Sequence, residues 1–253
     1  MSGRLSVIGC GPAGEHWLSP ETAQLIARAT DAVGYGPYVR RIARPGMRLH
    51  ISDNREELMR AVLALELAAQ GREVVIVSGG DPGIFAMAAA VCECLSEADQ
   101  PRWDNVELGI YPGISALQAA AAKIGAPLGH DFCAISLSDV LKPWSLVCRR
   151  LRCAAQGDFA MAFYNPRSRH RPWQLGAALD ILREEQPPQT PVVFARAIGR
   201  EDEALHYTTL AEADPEWVDM RTLVIVGNSQ ARYFDHGQRR WMYSPRSYPV
   251  IES

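Results

Sequence analysis

The chain has 253 residues, 47% of them hydrophobic and 22% charged, with a formal net charge of −3. A chain of this length can bury roughly three quarters of its unfolded surface, enough for one large core or two small ones, and its slight acidity argues against nucleic acid, whose phosphates demand a basic face. No uninterrupted apolar run nears the length a bilayer needs, and the first residues lack the basic and apolar regions of a signal peptide; a cytoplasmic protein with no membrane partner is expected.

Strand-like and helix-like runs alternate along the chain, the pattern of a largely parallel sheet with crossover helices. Leu5–Ile8 predicts the first strand. A helix follows near Pro20–Ala29, with Ser19 as its N-cap and Pro20 at its first position. Asp53 or Asn54 can cap a longer helix reaching about Gln70, where Leu58, Val62, Leu65 and Ala69 share a face and Gly71 ends it. Further strands are predicted over Val74–Val77, Val106–Ile110, Cys133–Leu137, Phe159–Tyr164, Val192–Ala195 and Leu223–Val226, with an antiparallel excursion at Leu205–Thr208. Helices fit near Ile84–Leu95, Ser115–Ile124, Ser145–Ala154 and Trp173–Glu184. The seam falls around residues 113 to 128, which predicts two α/β lobes, 1–114 and 115–253, with a cleft between them. The tail after Gly227 is polar and aromatic and says little about its own shape.

The most informative feature is Gly79-Gly80-Asp81-Pro82-Gly83, which closes the β-branched run Val74-Val75-Ile76-Val77. A run without alternation is what a strand buried on both faces looks like, and the carboxyl edge of an open α/β sheet is where ligands bind. A second loop, Tyr111-Pro112-Gly113-Ile114-Ser115-Ala116, follows about one βα unit later. Together they predict a small molecule held against bare backbone, although each could serve only as a strand-to-helix turn. Gly9-Cys10-Gly11-Pro12-Ala13-Gly14 fits the dinucleotide-binding GxGxxG pattern. Its context does not: Pro12 and Glu15–Leu18 separate the glycines from the capped helix, and Asp31 precedes the second strand instead of ending it.

Between Val140 and Leu179 the only acidic residue is Asp158, while Arg149, Arg150, Arg152, Arg167, Arg169 and Arg171 all fall there. Such a run is commonly a solvated face, but the missing carboxylates and the interleaved aromatics favour an anionic ligand gripped by guanidinium forks. His130-Asp131, just before a strand, is either a structural pair or a proton carrier near neutral pH. Six cysteines (Cys10, Cys92, Cys94, Cys133, Cys148, Cys153) show no CxxC pair and no His at zinc-ligand spacing, so reduced thiols packed as small hydrophobes, and no metal site, are expected.

The stretches Gly34-Tyr35-Gly36-Pro37-Tyr38-Val39, Ser78-Gly79-Gly80-Asp81-Pro82-Gly83, Ala126-Pro127-Leu128-Gly129-His130-Asp131-Phe132, Ile135-Ser136-Leu137-Ser138-Asp139, Tyr164-Asn165-Pro166-Arg167-Ser168-Arg169 and Ile225-Val226-Gly227-Asn228-Ser229 resemble the tetrapyrrole methylases, over Leu5 to Tyr248. The His-Asp-Phe and Asn-Pro-Arg segments narrow the resemblance to the branch that methylates precorrin-3B at C17 in cobalamin biosynthesis. The resemblance implies two α/β lobes of the class III methyltransferase type, a homodimer, and S-adenosylmethionine as donor in the cleft, leaving S-adenosylhomocysteine. Carried over by motif, the donor would touch Pro12, Gly79, Gly80, Asp81, Ile84, Ser115, Ala116, Asn165 and Ala197. Two departures stand out: Ala13 where a glycine is usual, and Arg196-Ala197-Ile198-Gly199 in place of Arg-Asn-Ala-Gly.

The resemblance also implies contraction of the macrocycle with loss of its bridging carbon. His130 and Asp131 are the nominees for proton handling in that step, and Arg167 and Arg169 for gripping the acetate and propionate side chains. The recognisable Ser/His and Cys/His arrangements of nucleophilic enzymes are missing, which suits a ring carbon acting as its own nucleophile. Rival readings are another methylase of the superfamily, a nicotinamide oxidoreductase, and a silent tetrapyrrole carrier.

Overall fold

The computed structural model describes residues 3–53, 56–97 and 100–248. The chain divides into two compact units, Met1–Ala116 and Leu117–Ser253.

The first unit is built on five parallel strands: β1 (Arg4–Gly9), β2 (Asp31–Tyr35), β3 (Arg48–Ser52), β4 (Glu73–Ser78) and β5 (Glu107–Tyr111), in the order β3-β2-β4-β1-β5. Alternate side chains of the central strands enter two separate cores. Leu5, Val7, Val74 and Ile76 face helices α3 (Glu57–Ala69) and α4 (Met87–Glu97). Ile8, Val75 and Val77 face α1 (Pro20–Arg28) and α2 (Gly36–Ile42). Burial on both faces explains why Val74–Val77 carries no polar alternation.

Local signals account for the helix ends. The Ser19 hydroxyl accepts from the Thr22 amide at 3.1 Å, capping α1 as its sequence predicts, with Pro20 at the first position. At α3 the position before the helix is Glu56, without a side-chain cap; Asp53 does not cap it, and Asn54 lies outside the described residues. Gly71, at φ +82°, ends that helix. Its buried face is Ala61, Ala64, Leu65 and Ala68, whereas Leu58 and Val62 are exposed, so the predicted stripe is rotated from the true one. At the amino edge, Asp31 is the first residue of β2 and not a residue before it. Its fully buried carboxylate accepts from Arg48 at 2.8 and 2.9 Å, His50 at 2.8 Å, Arg72 at 3.1 Å and Thr30 at 2.7 Å. Burial alone would raise its pKa, but the hydrogen bonds from Arg48, His50 and Thr30 outweigh that and hold it well below the usual carboxylate range.

The second unit has a mixed sheet of β7 (Phe132–Ser136), β8 (Ala160–Tyr164), β9 (Pro191–Arg196), β10 (Ala204–Thr209) and β11 (Thr222–Val226), ordered β10-β9-β11-β8-β7. The predicted excursion is β10, antiparallel to β9. Helices α6 (Trp144–Gln156) and α7 (Gln174–Glu185) cover one face, burying Phe163 and Phe194 among Val147, Leu151, Leu175 and Leu179. Helix α5 (Ala116–Ile124) leads into β6 (Gly125–Ala126). The tail forms a hairpin, β12 (Arg232–His236) and β13 (Arg239–Tyr243), whose second strand pairs with β6. All six cysteines are free thiols; Cys10 is buried, but Cys92 and Cys153 are exposed, so the expectation of packed thiols fails for those two.

Candidate active site

In the first unit, β1 and β4 are neighbours, yet β1 leads to α1 on one face of the sheet and β4 to α4 on the other. Where neighbouring strands part in this way, the crevice at their carboxyl ends is the customary ligand position. The ends of β1, β4 and β5 meet there through glycine. A Cβ placed on Gly113 would collide with the Gly80 carbonyl and come within 2.8 Å of the Gly9 backbone; one on Gly9 would collide with the same carbonyl. The three strand ends therefore touch backbone to backbone, a distance only glycine permits.

Polar contacts lock these loops together. Gly11 and Gly80 exchange amide-to-carbonyl bonds of 3.2 and 2.9 Å. Asp81 is a staple: one carboxylate oxygen accepts from the Gly83 amide at 2.8 Å, the other from the Gly113 amide at 3.0 Å. Each oxygen retains a lone pair for a further donor. Gly79 lies under the Tyr38 phenol, which a Cβ would approach to 2.5 Å. Ser115 is buried and Ala116 opens α5, so a helix amino terminus stands beside Gly80, whose Cβ would come within 3.6 Å of the Ala116 amide. Pro12 and Ile84 are half-buried in the adjoining loops. Seven nominated residues, Pro12, Gly79, Gly80, Asp81, Ile84, Ser115 and Ala116, thus belong to the loops of one sheet edge. Gly9, Gly113 and Tyr38 stand at the same edge outside the motif-derived set, although Tyr38 belongs to the Gly34–Val39 motif and Gly113 to the Tyr111–Ala116 loop.

The first loop also departs from a dinucleotide fingerprint in structure: Glu15–Trp17 forms a single 3-10 turn before Ser19 starts α1. No helix springs directly from the glycines.

In the second unit, Asn165 and Ala197 follow β8 and β9 at the carboxyl edge of those parallel strands, both in the left-handed region at φ +50° and +52°. The Asn165 side-chain amide donates to the Ser136 hydroxyl at 3.0 Å, and the Asn165 backbone carbonyl accepts from Arg171 at 3.0 Å. The Ala197 amide donates to the Arg221 carbonyl at 2.9 Å. The usual Asn of the family pattern tolerates such a φ better than Ala does. Arg167 is engaged with the Pro215 carbonyl at 2.9 Å and Glu216 at 2.6 Å, while Arg169 is exposed. The arginine run divides: Arg149, Arg150 and Arg152 ride on α6, apart from the loop that carries Arg167, Arg169 and Arg171.

His130 and Asp131 precede β7 and so stand at the amino edge of that sheet, opposite Asn165. His130 Nδ1 accepts the Asp131 amide at 2.8 Å, which places the proton of a neutral ring on Nε2. Its ring meets Tyr248 edge-on at 4.8 Å. Tyr248 donates to Asp158 at 2.8 Å; burial, then that hydrogen bond, pushes its phenol up to about 12.

Glycine loops at the carboxyl edge of a doubly covered parallel sheet are a setting in which α/β proteins hold small ligands against bare backbone. More narrowly, the chain belongs to the Tetrapyrrole (Corrin/Porphyrin) Methylases, whose family model matches residues 4–214. It is 52% identical over 250 residues to a precorrin-3B C(17)-methyltransferase of Sinorhizobium sp, covering 98% of each chain. It is 41% identical over 248 residues to a probable cobalt-factor III C(17)-methyltransferase of Salmonella typhimurium, covering 97% of this chain and all of that one. Among solved structures, the methyltransferase CobJ superposes with a TM-score of 0.91 at 54% identity, covering 96% of this chain and 100% of the other.

Proposed function

We propose that the chain transfers a methyl group from S-adenosylmethionine to C17 of precorrin-3B, with contraction of the macrocycle to precorrin-4, in cobalamin biosynthesis. The observation that carries this reading is the 52% identity to the Sinorhizobium enzyme across nearly the whole of both chains. The proposal includes a cytoplasmic homodimer.

The residues of the first unit suit such a donor. It brings a sulfonium, a ribose diol and an amino-acid group, and supplies an electrophilic methyl when bound. Bare backbone at Gly79 and Gly80 admits it closely, the spare lone pairs of Asp81 can accept from hydroxyls, and the amino terminus of α5 favours a carboxylate. Methyl transfer is an in-line displacement, so the chain's task is alignment, worth up to roughly 7–11 kcal/mol in the best intramolecular cases. Asn165 and Ala197 enter the donor set by motif alone. For the substrate's carboxylates Arg169 is the direct grip; Arg167 would first have to exchange its bond to Glu216.

The test is precorrin-3B incubated with methyl-labelled donor, read by product mass and ultraviolet-visible spectrum. One added methyl with a contracted chromophore is expected; recovery of unlabelled substrate from folded protein overturns the reading. A second arm with cobalt-factor III addresses the alternative favoured by the 41% relative. Proton handling by His130 and Asp131 is a separate element of the proposal. His130→Ala should retain methylation and slow contraction; contraction at the normal rate removes that role.

A further inference from the structure

The sequence predicts a helix from Ile84, and Ile84-Phe85-Ala86-Met87 contains nothing that would delay one. Instead α4 begins at Met87, and Phe85 sits at φ +52° with 53% of its surface exposed. For a bulky L residue the left-handed region is a genuine outlier. With about half of the residue exposed, packing supplies only part of any compensation.

The surroundings show what holds it there. The Met87 amide donates to the Ser78 hydroxyl at 3.3 Å, the Ala88 amide to the Pro82 carbonyl at 2.9 Å, and the Gly83 amide to Asp81 at 2.8 Å. Residues 84–86 are thus an outward excursion pinned at both ends, on the same loop as Gly79-Gly80-Asp81. A backbone held against its own preference beside a ligand edge is where strain serves a purpose.

We propose that Phe85 is a specificity-determining residue which presents its ring to a face of the tetrapyrrole macrocycle while the glycines of the same loop hold the donor. The proposal rests on the methyltransferase reading and deepens it by naming a substrate contact. A rigid aromatic face recognises a macrocycle by offset stacking, and the pinned loop fixes its place relative to the donor loop.

The two ideas fail separately. Wild-type protein that neither binds S-adenosylhomocysteine nor methylates precorrin-3B sinks the reading of function. With an active wild type, Phe85→Gly, Phe85→Leu and Phe85→Tyr are compared by thermal melting, by calorimetry with S-adenosylhomocysteine, and by steady-state kinetics on precorrin-3B. Phe85→Gly should melt at a higher temperature, since glycine adopts this φ freely. Its KM for the tetrapyrrole should nevertheless rise roughly tenfold, the worth of one aromatic stack, with affinity for S-adenosylhomocysteine unchanged. Phe85→Leu should share the KM defect and Phe85→Tyr should restore it. An unchanged KM in Phe85→Gly overturns the proposal. So does a defect confined to the affinity for S-adenosylhomocysteine.

Discussion

The two five-stranded sheets present opposite kinds of carboxyl edge. In the first unit the ends of β1, β4 and β5 meet as glycine backbone, and the Asp81 carboxylate among them joins two loops with one lone pair of each oxygen. In the second, the edge is crowded with side chains: Asn165 on Ser136, Arg171 on Asn165, Gln174 on Asp139, and Lys142 on the Ser138 carbonyl. Backbone at contact distance makes a rigid, unadaptable floor, suited to one invariant ligand. Side chains make an edge that substitutions can retune, suited to whatever distinguishes one substrate from another, the role proposed for Phe85 beside the first unit's glycines.

Three substitutions sharpen the contrast. The largest effect is expected at the amino edge of the first sheet. Asp31→Asn leaves Arg48 and Arg72 facing a neutral amide and should cost about 3 kcal/mol in chemical denaturation at neutral pH. Because the native carboxyl is held below its unfolded value, its contribution is present above about pH 4 and is lost as pH falls further. Wild type and variant should therefore converge in acid; parallel pH profiles would remove Asp31 from the account. Next, Gly113→Ala forces a methyl against the Gly80 carbonyl and should cost about 2 kcal/mol. A melting temperature equal to that of wild type would show that the glycine floor is not tight. Smallest, Ala197→Gly in the second unit relieves a left-handed φ and should gain about 0.5–1 kcal/mol; a loss would mean that the methyl group packs for more than its strain costs.

Sequence reasoning found what periodicity and punctuation encode. Val74–Val77 and Leu223–Val226 are apolar throughout because both faces are covered, and the Gly79–Gly83 loop announces its own bareness. It went astray where tertiary contacts overrule local preference. The start of α4 is delayed to Met87 by bonds to Ser78 and Pro82, which no window of residues reveals. The α3 stripe is misplaced because Leu58 and Val62 are apolar yet exposed. The C-terminal hairpin is hidden because β12 lies mostly in solvent and Met242 is the one fully buried side chain of β13, too few apolar positions to show an alternation. The two-residue turn Gly237-Gln238, with glycine at φ +62°, was the signal available for it. At the site, which residues share an edge follows from strand order alone. That order separates His130 from Asn165 by the length of a strand, although both flank the same pair, β7 and β8.

The most direct test of the glycine floor is calorimetric titration of S-adenosylhomocysteine into wild-type protein and into folded Gly113→Ala. Saturable one-site binding to the first and its loss from the second is the outcome predicted here. Equal binding to both, or no heat with well-folded wild type, would contradict it.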